Sequence, residues 1–148
     1  MQWFKKSFNE IPAKELYQII KARIDVFVVE QTCPYEELDN CDQDAIHLFL
    51  KENNNIAAYC RLLPTGTTFP EASIGRVLVV EKYRGEGYAK IMMQQAIDFI
   101  TGQWKETTIK IQAQTYLETF YGSFGFQQIS DVYLEDGIPH FDMIWEHK

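Results

Sequence analysis

The stretch Val77-Leu-Val-Val-Glu-Lys-Tyr-Arg-Gly-Glu-Gly-Tyr-Ala-Lys90 passes from an apolar strand pattern through a glycine-containing loop directly into helical periodicity. A strand, a glycine loop and a helix N-terminus in that order aim several unpaired backbone N–H groups and the positive end of a helix dipole at one point. Such a point suits a phosphate, and so suggests a nucleotide-containing cofactor. From Lys82 to Lys90, Lys82, Arg84 and Lys90 against Glu86 make the chain locally positive although its net charge is −7. The pair Gly85 and Gly87 is also what a plain β-to-α turn would use, because glycine permits tight backbone geometry. A dinucleotide fingerprint would need a third glycine where Lys90 stands, and a P-loop needs a longer spacing that ends in Lys-Ser or Lys-Thr.

Outward from this loop, Ser73 to Val80 reads as a buried strand and Gly87 to Thr101 as a helix with Ile91, Met92, Ala96, Ile97 and Ile100 inward. The β-branched run Thr107 to Gln112 follows as a strand, and Tyr116 to Phe124 returns to helix. Upstream, Ala45 to Lys51 and Ile56 to Leu63 flank Asn53-Asn-Asn55 and read as a hairpin. Gln2 to Phe8 predicts an edge strand given Lys5 and Lys6. Pro12 opens a helix to about Val26, with Leu16, Ile19, Ile20 and Ile24 at helical spacing. Val28 to Gln43 is a long acidic loop, and Phe126 to Leu134 and His140 to Trp145 are final strands around the turn Glu135-Asp-Gly-Ile-Pro139. The sum is a mixed α/β layered domain built on a single central sheet flanked by helices.

The chain has 148 residues, one domain's worth, enough to bury about 68–70% of its unfolded surface. No apolar run approaches the roughly 20 residues that span a bilayer, and Met1-Gln-Trp-Phe-Lys-Lys6 lacks the pattern of a secretory signal. A soluble, cytoplasmic protein is the expectation. The acidic balance argues against nucleic acid and anionic membranes as partners, since both need a basic footprint. Cys33, Cys41 and Cys60 form an odd set without a CxxC pair, which reads as reduced thiols. Cys33, Cys41 and His47 lack the paired spacing of zinc ligands, so no metal is expected.

Flanking residues separate a cofactor cradle from a plain turn. Arg84-Gly-Glu-Gly-Tyr-Ala89 resembles the Gln/Arg-x-x-Gly-x-Gly/Ala signature of the GNAT N-acetyltransferases, and Leu78-Val-Val80 stands where that family's pantetheine-contacting strand lies. Gln114-Thr-Tyr-Leu-Glu-Thr-Phe-Tyr-Gly-Ser-Phe-Gly-Phe126 resembles the family's later motif. Similarity to the ElaA-like branch comes through Arg23-Ile-Asp-Val-Phe-Val-Val-Glu-Gln-Thr-Cys-Pro-Tyr35, His47, Ser123-Phe-Gly-Phe126 and Glu135-Asp-Gly-Ile-Pro-His140. Gln114 stands where many members carry Asn, and Leu117 replaces a small Ala.

The resemblance implies a GNAT fold in which acetyl-CoA and an amine meet between two splayed parallel strands and the amine attacks the thioester directly. Carried over, Leu78 and Val80, with Val79 between them, offer main-chain hydrogen bonds to pantetheine. Arg84, Gly85, Glu86, Gly87, Tyr88, Ala89 and Lys90 wrap the pyrophosphate, and Gln114 and Phe124 lie beside the cofactor. Tyr121 takes the position of a tyrosine that protonates the departing thiolate; read from pattern alone, it belongs to an aromatic packing cluster with Phe120, Phe124 and Phe126. The amine must lose a proton, since a lysine-like ammonium ordinarily ionises near 10.4. Glu30, expected to be buried behind Val26-Phe-Val-Val29, and His47 are the candidate bases; each has an ordinary structural reading, a solvated or paired carboxylate and a satisfied buried histidine.

The loop from Glu30 to Asp42 and the turn from Asp131 to His140 are expected to select the acceptor. Glu36, Glu37, Asp39, Asp42 and Asp44 would draw in a cationic amine, on a small molecule or a peptide, unless they are simply a solvated face. The implied activity is acetyl transfer to a primary amine. A noncatalytic acyl-CoA-binding or sensing module and acyl-homoserine lactone synthesis are the alternatives. The latter shares an Arg23-x-x-Val-Phe27 pattern but lacks its tryptophan-bearing signature here. A homodimer is allowed.

Overall fold

The apolar runs at 46–63 are hydrophobic on successive residues rather than on alternate ones, which is what a strand covered on both faces requires. In the computed structural model, which describes residues 1–147, strands β1 (Gln2–Ser7), β2 (Ile46–Glu52), β3 (Asn55–Leu63), β4 (Ala72–Val79), β5 (Thr108–Gln114), β6 (Gln127–Gln128), β7 (Tyr133–Glu135) and β8 (Ile138–Glu146) form one sheet. The strand order is β1-β2-β3-β4-β5-β8-β6, with β7 paired to β8. β1 is at an edge, as its lysines predict. Helix α1 (Ala13–Ile24) covers one face and α2 (Tyr88–Gly102) the other, while α3 (Glu118–Gly122) is short.

Adjacent residues of β2 therefore serve different cores. Leu48 and Leu50 pack with Met92, Met93, Ala96, Ile97 and Ile100 of α2, whereas Phe49 packs with Ile19, Ala22 and Val26 from the α1 side. Beyond Ile24 the first helix does not stop near Val26 but widens into a π-helical segment, Asp25–Glu30. The anticipated strand from Phe126 to Leu134 is instead two short strands. Between them Ile129 donates to the Asp142 carbonyl at 2.9 Å and the Ser130 hydroxyl accepts the Asp142 amide at 2.8 Å, so a side chain replaces a ladder bond. The helix anticipated from Tyr116 begins as a 3-10 turn at Thr115–Leu117.

Two features open the sheet. β4 and β5 run parallel, but they pair only at Ala72↔Ile109 and Ser73↔Lys110, after which they splay. β4 also carries a bulge: Tyr59 faces Leu78 and Arg61 faces Gly75, leaving Arg76 and Val77 opposite Cys60 alone. Arg76 adopts a left-handed φ of 51°, a conformation that costs a non-glycine residue roughly 1–2 kcal/mol. The bulge bends β4 away from its neighbour.

A buried ion network holds this bend. Arg23, fully buried on α1, donates to Glu37 at 2.6 Å and to Asp42 at 2.9 Å. Arg61 on β3 donates to Asp39 at 2.8 Å and to Asp42 at 3.0 Å. Arg76 reaches Glu37 at 2.8 Å and Asp39 at 3.4 Å. Burial works against the charged carboxylates, but the hydrogen bonds and charges of Arg61 hold Asp39, and those of Arg23 and Arg61 hold Asp42, below the usual aspartate range.

Replacing Arg23 by Met leaves Glu37 and Asp42 short of a buried partner and is expected to cost about 3–5 kcal/mol in urea denaturation. Removing the exposed Lys21–Asp25 pair with Lys21→Met should leave the midpoint unchanged. The network also sets an acid limit. Asp39 and Asp42 ionise at lower pH folded than unfolded, so their contribution is complete above the unfolded value of about 3.9 and disappears as pH falls below it. Thermal midpoints should therefore drop below about pH 5, and Asp42→Asn should weaken that dependence.

Candidate active site

The splay of β4 from β5 opens a cleft of about 720 Å³. One wall is β4 from Ser73 to Val79, another is Gln112 and Gln114 of β5, and Leu117, Phe120 and Tyr121 complete the lining. Two loops also line it: Glu30, Cys33, Tyr35 and Glu36 from one, Glu135, Asp136, Ile138 and His140 from the other. The loops touch where the buried Cys33 thiol donates to the Asp136 carbonyl at 3.4 Å.

The glycine loop borders this cleft through Arg84 and Ala89. Gly85 and Gly87 have φ of 86° and 82°, and a Cβ on either would meet open space. Glycine is needed there for backbone conformation, and the room above the loop is free for a ligand. Among the described residues, the backbone N–H groups of Gly85, Glu86 and Gly87 donate to no backbone carbonyl, and the first N–H groups of α2 have no partner within the helix. Glu86 and Lys90 are exposed, while Tyr88 packs partly into the core. These features fit a bound pyrophosphate.

Main-chain access along β4 differs from the expected pattern. Val80 donates to the Ala57 carbonyl at 2.9 Å, so Val80, and by alternation Leu78, turn their peptide groups toward β3. Val79 is the residue that faces the open edge. Its carbonyl accepts Arg84 Nε at 2.8 Å, and the same guanidinium donates to Glu30 at 2.6 Å. Glu30 is thus an exposed carboxylate tied to the cofactor loop, not a buried one; the end of the π-helical segment turns it outward toward Arg84.

His47 is not in the cleft. It is fully buried, Nε2 donates to the Asp42 carbonyl at 2.9 Å, and Nδ1 therefore accepts from the Tyr59 hydroxyl at 2.6 Å. Burial, reinforced by the charges of Arg23 and Arg61, lowers its pKa despite opposing contributions from Asp42. A neutral imidazole with both nitrogens engaged is a support for the ion network, and the expectation of a base at His47 is withdrawn. The acidic loop is corrected as well: Glu37, Asp39 and Asp42 are neutralised by Arg23, Arg61 and Arg76, leaving Glu36 as the unpaired acid it presents to the cleft.

Tyr121 is 6% exposed and lines the cleft. Its ring sits edge-on to Phe120 and Phe126, with centroids at 5.2 and 6.0 Å, so the packing cluster read from sequence is real and holds the ring in place. Burial is the main cause that pushes its pKa above the ordinary phenol value. Gln114 reaches the cleft, whereas Phe124 packs on Phe120 and accepts the Trp145 indole N–H through its carbonyl at 2.9 Å. Reading by sequence missed Arg61 and Arg76. Arg61, a lone charge in the buried run Tyr59-Cys-Arg-Leu-Leu63, was a visible signal for a buried ion partner; the bulge at Arg76 had none.

Residues 13–147 match the family model described as an acetyltransferase (GNAT) domain, and the chain belongs to that family. It is a GNAT-type acyltransferase of the ElaA-like branch. Protein ElaA of Escherichia coli is 36% identical over 148 residues, spanning 99% of this chain and 97% of its own length. The crystal structure of E. coli ElaA superposes with a TM-score of 0.91, covering 99% of this chain and 100% of that one. An acyl-CoA N-acyltransferase from Pseudomonas aeruginosa superposes with a TM-score of 0.93 at 37% identity, over 97% of this chain and 98% of its own.

With open space around Gly87, its requirement is purely conformational. Gly87→Ala should lower stability by about 1–2 kcal/mol and Gly87→Asn by less, because asparagine tolerates left-handed backbone better. Equal losses in a urea titration would contradict this account.

Proposed function

We propose that the protein transfers the acetyl group of acetyl-CoA directly to a primary amine of a small molecule or peptide. The observation that carries this reading is the convergence of Tyr121, the splayed edge of β4 and the uncapped glycine loop on one cleft. The glycine loop and Arg84 would hold the pyrophosphate, and the open edge at Val79 would hold the pantetheine arm. Bound there, the cofactor supplies an activated thioester carbonyl. Tyr121 donates its proton to the leaving sulfur. Because burial raises its pKa, the phenol stays protonated through and above neutral pH, the form a general acid needs. Glu30 offsets part of the Arg84 charge that a phosphate would meet, so the two anions compete for one guanidinium. Acyl-homoserine lactone synthases share the fold at 18% identity and a TM-score of 0.80, a likeness of fold alone.

Calorimetry with acetyl-CoA, followed by CoA release in the presence of ethanolamine, 1,4-diaminobutane and a lysine peptide, tests the reading. Binding with turnover on at least one amine is expected; tight binding with none would point to a sensing module instead. Tyr121→Phe should lower kcat by about 10²-fold or more with acetyl-CoA affinity retained, and unchanged turnover would remove Tyr121 from the mechanism. Glu30→Gln frees Arg84 and should tighten acetyl-CoA binding by up to about fivefold, whereas Arg84→Met should weaken it.

A further inference from the structure

We infer that His140 is the general base of the reaction, taking the proton of the attacking ammonium at Nε2. The inference rests on the acyl-transfer reading above. On the paired strands β5 and β8, Ile111, Ala113, Phe141 and Met143 point into the core, so the alternate residues Gln112, Gln114 and His140 fall on the other face, where they line the cleft. His140 pairs with Gln114, four residues before α3 begins and seven before Tyr121. Acid and base therefore come from segments joined through this register, and both line the same cleft.

Two contacts orient the ring. Its Nδ1 lies 2.7 Å from the Ile138 carbonyl, and because a carbonyl only accepts, Nδ1 carries the hydrogen and Nε2 the lone pair. Its face stacks on Tyr133 at 6.2 Å with 16° between planes, and the Tyr133 hydroxyl is fixed by donation to Asp142 at 2.6 Å. This is the arrangement by which an imidazole is locked into one tautomer with one free nitrogen. The charged and titratable groups around it are Tyr133 of β7, Asp142 of β8 with its partner Lys110 of β5 at 3.6 Å, and Glu135 and Asp136 at the turn.

Of the chain's three histidines, His47 is sealed in the ion network and His147 packs on Trp145 at 6.1 Å; His140 is the one that lines the cleft. Imidazole is also the side chain that ordinarily changes charge between pH 5 and 8, where general-base catalysis near neutrality is most effective. The balance closes with no further reactant. A primary ammonium loses two protons on becoming an amide: the N–C bond forms as the C–S bond breaks, one proton leaves through His140 Nε2 to solvent, and the other replaces the proton Tyr121 gives to sulfur.

The test compares His140→Gln with the unaltered enzyme, using acetyl-CoA and the amine from the panel above that turns over fastest. The expected result is a fall in kcat/KM of about 10²-fold, unchanged acetyl-CoA affinity, loss of the acidic limb of the kcat/KM profile, and a much smaller deficit with hydroxylamine, which is already neutral at pH 7. A variant that keeps both rate and acidic limb overturns the assignment. If the unaltered protein binds acetyl-CoA but acetylates no amine, the acyl-transfer reading fails, and His140 as its base falls with it. Nitrogen-15 NMR of labelled histidine then separates a geometric failure from a functional one: an Nδ1–H tautomer with a bare Nε2 is expected, and an Nε2–H tautomer overturns the geometry whatever the kinetics show.

Discussion

The cluster of Arg23, Arg61 and Arg76 with Glu37, Asp39 and Asp42 is the constraint on which the cleft depends. The segment from Thr32 to Cys41 has no regular secondary structure, and without partners its backbone would have little reason to hold one path. Arg23 ties it to α1, Arg61 to β3 and Arg76 to β4, so three elements converge on one loop. Burying charges such as Arg23, Arg61, Glu37 and Asp42 is no efficient route to stability, because desolvation consumes much of the Coulombic gain and apolar replacements of similar volume often do as well. What the ions provide is direction, since a guanidinium fixes a carboxylate by a planar fork that an apolar contact cannot imitate. His47 and Tyr59 extend that fixation by holding the Asp42 carbonyl and packing beneath Arg23.

The same ions connect loop and strand. Arg76 occupies left-handed backbone in the middle of β4, a strain that persists only where surrounding structure over-determines it. Its guanidinium is anchored on Glu37 and Asp39, so the anchor that orders the loop also retains the bulge. The bulge turns β4 from β5, and the splay leaves the peptide group of Val79 unpaired by strand. A loop that lines the cleft and a strand edge left open to it are thus two consequences of one cluster.

The element order, the central sheet and the glycine loop are legible in the sequence because they are written in local periodicity: Ser73 to Val80, Gly87 to Thr101 and the hairpin around Asn53 depend on neighbours a few residues away. The position of Tyr121 is also legible, through motif rather than physics. What is not legible is long-range pairing. Glu37, Asp39 and Asp42 read as a solvated or substrate-attracting run because their arginine partners lie 14 to 39 residues away. Glu30 was placed behind an apolar run, but the π-helical widening after Ile24 changes which way each later side chain points. His47 was drawn into the site by residue type, while β2 carries it into the interior.

Neutralising that loop alters the electrostatics of acceptor capture. A run of five acids would attract cations broadly and over a long range; three of them are locked to arginines, so the field from the loop is short-ranged and comes mainly from Glu36 beside the cleft. Glu135 and Asp136, at the turn before His140, line the same cleft. Carboxylates from both loops and the His140 imidazole thus line one cleft. Charge attraction and deprotonation are opposite demands on one nitrogen, so different side chains have to meet them.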